Sequence, residues 1–128
     1  LEAICDENET GAYAFAREGD EILAAPVIRA VCEDIDRGEK PGCIAARFHN
    51  AVAEMIVETC RAIREDTGIG NAALSGGVMQ NRLLVERAAE GLRRDGFDVL
   101  LHRLVPPNDG GLCLGQVACA LARSEAEL

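Results

Sequence analysis

Asn71-Ala-Ala-Leu-Ser-Gly-Gly-Val-Met-Gln-Asn81 and, further along, Phe97-Asp-Val-Leu-Leu101 decide the architecture. Two short apolar runs, Asn71–Ser75 and Phe97–Leu101, bracket a segment from about Gln80 to Arg94 in which Leu84, Ala88 and Leu92 return every four residues. That spacing is helical, and Gly76-Gly77 and Gly96 punctuate its two ends. Strand, helix and strand in this order make a right-handed crossover between parallel strands, so the class is α/β. Phe97–Leu101 lacks polar alternation, which predicts a strand covered on both faces.

Upstream, Ile44, Phe48, Ala51/Val52, Met55, Thr59 and Ile63 recur at steps of three and four across residues 43–66. Arg47, Glu54, Glu58, Arg61 and Arg64 lie off that stripe, and Gly68 and Gly70 end the helix. Pro26 suits the start of an earlier helix, apolar at Val27, Ile28, Val31, Cys32 and Ile35, that Gly38–Gly42 breaks. Ala12–Arg17 reads as a short strand to which Glu21–Leu23 pairs back across a Gly19-Asp20 turn. Residues 1–7 read as the tail of a helix and Asn8–Gly11 as a turn. Downstream, Val105-Pro-Pro-Asn-Asp-Gly-Gly111 is a loop, Leu114, Val117, Ala118 and Leu121 stripe a last helix, and Ser124–Leu128 frays.

With 128 residues the chain amounts to one domain. Aromatics make up 3% and Trp is absent, so the core is aliphatic. A formal charge of −9 disfavours a broad nucleic-acid surface or an anionic membrane. Residues 1–9 have neither a basic start nor an apolar run, so no signal peptide is read in them, and no apolar run reaches bilayer length. A start without Met, in mid-helix, reads as a piece of a longer polypeptide. The six cysteines form no C-x-x-C pair, and the expectation is reduced, mostly buried thiols in a cytoplasmic protein.

Two glycine-bearing connectors, 75–81 and 106–111, each follow a strand, and parallel strands deliver both to one edge, where open α/β sheets bind ligands. In Ser75-Gly76-Gly77, glycines let backbone approach an anion at a helix start, although neither a P-loop nor G-x-G-x-x-G is present. Asn81 reads equally as a hydrogen-bonding group for a sugar or base and as a local cap. Asp109 reads as the N-cap of the last helix or as a carboxylate ligand of a divalent metal. His49 reads as a surface or capping group beside the long helix's apolar stripe, and His102 ends the second strand; neither has an assigned role.

Taken together, Ile44-Ala-Ala-Arg-Phe-His49, Leu74-Ser-Gly-Gly-Val-Met-Gln-Asn-Arg82 and Val105-Pro-Pro-Asn-Asp-Gly-Gly-Leu-Cys-Leu-Gly-Gln116 resemble the C-terminal, Kae1-like region of the HypF family of hydrogenase maturation carbamoyltransferases. The resemblance implies the second lobe of an actin/Hsp70-like (ASKHA) ATPase fold, residues 1–128 being incomplete without a first lobe. It implies that Gly76, Gly77 and Asn81 contact the nucleotide of a carbamoyl-adenylate made from ATP and carbamoyl phosphate. It also implies that Asp109 binds a divalent metal and that the acceptor is the C-terminal cysteine of HypE. The family's His-x-x-x-His metal pair and its acylphosphatase-like, zinc-finger and adenylate-forming regions have no counterpart here, so this chain alone is expected to be inactive. The alternatives are a Kae1-type lobe for tRNA threonylcarbamoyl transfer and a non-catalytic docking module, and an exposed lobe face is expected to favour self-association.

Overall fold

The computed structural model describes residues 1–19 and 21–126. Asp20 of the expected turn and residues 127–128 of the expected frayed end lie outside the described residues. A 3-10 turn, Glu2–Ile4, stands where a helix tail was expected. A hairpin follows, β1 (Ala16–Glu18) antiparallel to β2 (Glu21–Leu23), shorter than the Ala12–Arg17 strand read from the sequence. Helices α1 (Ala25–Asp36) and α2 (Pro41–Thr67) lead to β3 (Asn71–Leu74), α3 (Arg82–Arg94), β4 (Asp98–Leu101) and α4 (Leu112–Ala126). Pro41 opens α2 where the missing N–H costs nothing, and Gly68 closes it in the left-handed region at φ +75°. The last helix runs on through Ser124, where fraying was expected.

Strands β3 and β4 pair in parallel from Asn71↔Asp98 to Leu74↔Leu101. Their inner face, with Ala72 and Leu74, packs with Phe97, Ala53 of α2 and Leu84, Ala88, Ala89 and Leu92 of α3. Their outer face is bare: Asn71, Ala73 and Asp98 are exposed and Leu100 is 52% exposed. The expected two-sided burial of β4 is therefore corrected, because α2 and α3 cover one side only. Nor is the stripe of α4 buried: Leu114, Val117 and Leu121 are each more than half exposed.

Small residues bring α2 and α3 close. A Cβ at Gly91 would lie 2.8 Å from Val57 Cγ2. The face that α2 buries deepest is the row Ala45, His49 and Ala53 together with Ala46 and Ala51, while Ile63 of the expected stripe is exposed. In α1 the inward face is Val27, Val31 and Asp34, and Ile28 and Ile35 point to solvent.

Arg47, expected on the outer face, is instead the hub of a polar cluster. It donates to Asp34 Oδ2 at 2.8 Å and pairs with Glu9 at 2.8 Å and Glu39 at 3.3 Å. Tyr13 Oη donates to the same Asp34 oxygen at 2.8 Å. Hydrogen bonds from Tyr13 and Arg47 hold the Asp34 carboxyl below the usual range. Burial, and then the bond to Asp34, pushes the Tyr13 phenol up to about 12. In the unfolded chain a phenol titrates near 10. The neutral phenol therefore stabilises the fold fully below pH 10, and its contribution fades between pH 10 and about 12. Tyr13→Phe should cost about 1 kcal/mol at pH 7 through the lost hydrogen bond. Urea unfolding across pH should show a gentler alkaline decline for that variant than for the parent.

Candidate functional site

Register places the site. Leu74 and Leu101 are partners, so Ser75 and His102 leave the sheet side by side. His102 Nε2 lies 2.9 Å from Ser75 Oγ, and Ser75 Oγ donates to Pro107 O at 3.4 Å. The Gly76 amide donates to the same Pro107 carbonyl at 2.7 Å. The two glycine-bearing connectors thus meet directly. They border a cavity of about 500 Å³ whose walls include Ser75, Gly76, His102, Asn108 and Asp109.

At φ +105° the backbone of Gly76 lies in a region that side chains disfavour, although a Cβ there would meet nothing within 4 Å. Conformation, not space, requires the glycine. Its amide donates to Pro107 O. Gly77, exposed, opens a 3-10 turn to Gln80, so α3 starts at Arg82, later than the sequence indicated.

Asn81 caps α3: its Oδ1 accepts from the Leu84 amide at 2.9 Å. Its Nδ2 donates to His49 Nε2 at 2.8 Å. One N–H and one oxygen lone pair of the amide remain for a ligand. His49 is 4% exposed, which corrects the surface position expected of it. A signal was available: Ala45, His49 and Ala53 form a single i, i+4 row of α2, the row that faces inward.

Asp109 does not cap the last helix. The 3-10 turn Asp109–Gly111 that leads into that helix is capped by Asn108, whose Oδ1 accepts from the Gly110 amide at 3.0 Å. Asp109 is exposed at the cavity rim. Among the described residues no group of three or more His, Cys, Asp or Glu side chains could hold a metal ion. Calcium and magnesium take six or more oxygen donors, and at this rim the chain offers one carboxylate, that of Asp109. The Ser75–His102 pair went unread in the sequence, since only the strand register joins residues so far apart.

All six cysteines are free and none is buried: Cys32, Cys113 and Cys119 are exposed, and Cys5, Cys43 and Cys60 are half-buried. Burial pushes the latter three thiols up, which makes them poor nucleophiles at neutral pH. A separate groove of about 550 Å³ runs along α2 and α3 between charges of both signs, including Glu54, Arg61, Arg87 and Glu90, and reaches neither connector. No helix among the described residues is long and apolar enough to cross a membrane.

The arrangement has counterparts. The Carbamoyltransferase HypF of Synechocystis sp. is 38% identical over 92 residues, 72% of this chain and 11% of that protein. A tRNA N6-adenosine threonylcarbamoyltransferase of Aromatoleum aromaticum is 31% identical over 77% of this chain and 32% of its own length. The crystal structure of full-length HypF in its phosphate- and nucleotide-bound form superposes with a TM-score of 0.84 at 36% identity, over 90% of this chain and 16% of that one. The chain spans about a tenth of the length of the HypF relatives it matches. The family profile described as "Carbamoyltransferase, Kae1-like Domain, second subdomain" covers residues 1–116. On that match, and with the fold in agreement, the chain belongs to the Kae1-like carbamoyltransferase domain family as its second subdomain.

Proposed function

We propose that residues 1–128 form one wall of a carbamoyl-transfer site, as the C-terminal lobe of a cytoplasmic carbamoyltransferase that acts in nickel–iron hydrogenase maturation. In this reading water releases inorganic phosphate from carbamoyl phosphate, and the resulting carbamate attacks the α-phosphorus of ATP, giving a carbamoyl-adenylate and pyrophosphate. The C-terminal cysteine thiol of HypE loses its proton and attacks the carbamoyl carbon. The carbon–oxygen bond to phosphate then breaks and AMP departs. Gly76, Gly77 and Asn81 contribute the nucleotide side of this wall, and Asp109 contributes one carboxylate to a divalent metal whose other ligands lie outside the chain. The observation that carries the reading is the junction of the two connectors at Pro107, which makes a single rim of residues distant in sequence. The bare face of β3 and β4 and the exposed leucines of α4 suit contact with a first lobe and, in its absence, with a second copy.

Calorimetric titration of ATP, with and without magnesium, into residues 1–128 and into a full-length carbamoyltransferase bearing them tests this. Binding should be at least about tenfold weaker to the chain alone, since half of the pocket is missing. The isolated chain should neither hydrolyse carbamoyl phosphate nor carbamoylate a HypE peptide. Turnover by residues 1–128, or no ATP binding by the longer protein, would overturn the proposal. The match to a tRNA threonylcarbamoyltransferase favours a second reading, transfer to tRNA. The charge of −9 opposes it, and labelled carbamoyl appearing on tRNA rather than on the peptide would decide in its favour.

A further inference from the structure

We propose that His49 is a positioning residue that fixes the rotation of the Asn81 side-chain amide, and with it the hydrogen-bonding groups that Asn81 presents to a nucleotide. The inference rests on the reading of Asn81 as a nucleotide contact. Two groups without choice stand at the ends of the network. The Leu84 amide can only donate, so the group facing it at 2.9 Å is Asn81 Oδ1. The Asn81 NH₂ therefore faces His49 Nε2 at 2.8 Å, and that nitrogen carries no proton. The ring proton then sits on Nδ1, where Ala45 O, which can only accept, lies 2.7 Å away. The opposite tautomer would set two donors against each other at Asn81 and two acceptors at Ala45. Cys5 Sγ lies 3.3 Å from the same Nδ1.

Capping alone does not explain this residue pair. Ser, Thr or Asp accepts from a helix amide as well as Asn does. Of the strong cap residues, Asn is the one that also carries the NH₂ that His49 engages. With Oδ1 holding Leu84 and one N–H held by His49, the amide cannot flip. Its remaining N–H and lone pair keep a constant orientation, suited to a hydroxyl of a nucleoside, which both donates and accepts.

The test uses a full-length carbamoyltransferase bearing this chain, with carbamoyl transfer measured against ATP concentration. His49→Leu removes the acceptor at Nε2, His49→Gln returns one, and Asn81→Ser keeps the cap but loses the NH₂. We expect His49→Leu and Asn81→Ser each to raise the ATP KM about tenfold with kcat within about twofold. The double variant should be no worse than either, and His49→Gln should stay within about twofold of the parent. A tenfold rise for Asn81→Ala with none for His49→Leu would overturn the positioning role and leave the nucleotide reading standing. An unchanged KM in Asn81→Ala would overturn that reading and this inference with it. Should His49→Leu fail to fold, His49→Gln and Asn81→Ser decide: a KM for His49→Gln as high as that for Asn81→Ser would refute the proposal, and parental KM in His49→Gln would uphold it.

Discussion

Asp109→Ala in a full-length carbamoyltransferase bearing this chain should slow transfer to the acceptor cysteine by about 10²–10³-fold, the usual scale for losing a preorganised electrostatic group, while thermal unfolding stays unchanged. The two halves of this expectation have separate origins. Asp109 is exposed, and the cap of its turn is supplied by Asn108, so removing its carboxylate deprives no backbone amide of a partner. A loss of activity would therefore report on what the carboxylate does at the cavity rim. Metal content should fall with activity. Transfer at the parental rate would eliminate Asp109 as a ligand.

Leu92→Ala should have the largest effect on stability, about 2–5 kcal/mol. Leu92 is 0% exposed and packs among Leu84, Ala88, Ala89 and Phe97, between α3 and the sheet. The alanines of this cluster, Ala53, Ala72, Ala88 and Ala89, have no long side chains with which to refill the void. Against a total stability of about 5–15 kcal/mol, typical of a domain, such a loss is a large fraction. A lowered urea midpoint with an unchanged slope would bear this out. Leu114→Ala, at a position 54% exposed, should stay within about 0.5 kcal/mol of the parent. Equal losses at the two positions would contradict the core described here.

The crossover was legible because its helix has one buried face, and Leu84, Ala88 and Leu92 mark it without ambiguity. Helix α2 was harder. It packs on α3 and also on the cluster of Tyr13 and Val27, so its buried residues spread around the axis, and large apolar residues such as Ile63 are not the deepest. The burial of Asp34 and half-burial of Arg47 could not be read from periodicity, because their partners Tyr13 and Glu9 arrive from other segments, whereas the row of Ala45, His49 and Ala53 did mark His49. The apolar stripe of α4 was real as a pattern and misleading as a sign of burial, since within this chain its main contact is the 3-10 turn before it. At the site, the meeting of the connectors followed from parallel strand exits. The division of labour between Asn108 and Asp109 did not, because either side chain can cap a turn and only the backbone path selects one.

The bare leucines of α4 have a colloidal consequence. They are carried by a molecule of net charge −9, so copies that would adhere through oily side chains are held apart by Coulomb repulsion. That repulsion reaches ~8 Å at physiological ionic strength and shrinks as salt is added. Added salt therefore weakens the barrier while leaving the apolar surface untouched, so adhesion between copies of this domain should rise with the ionic strength of the solvent.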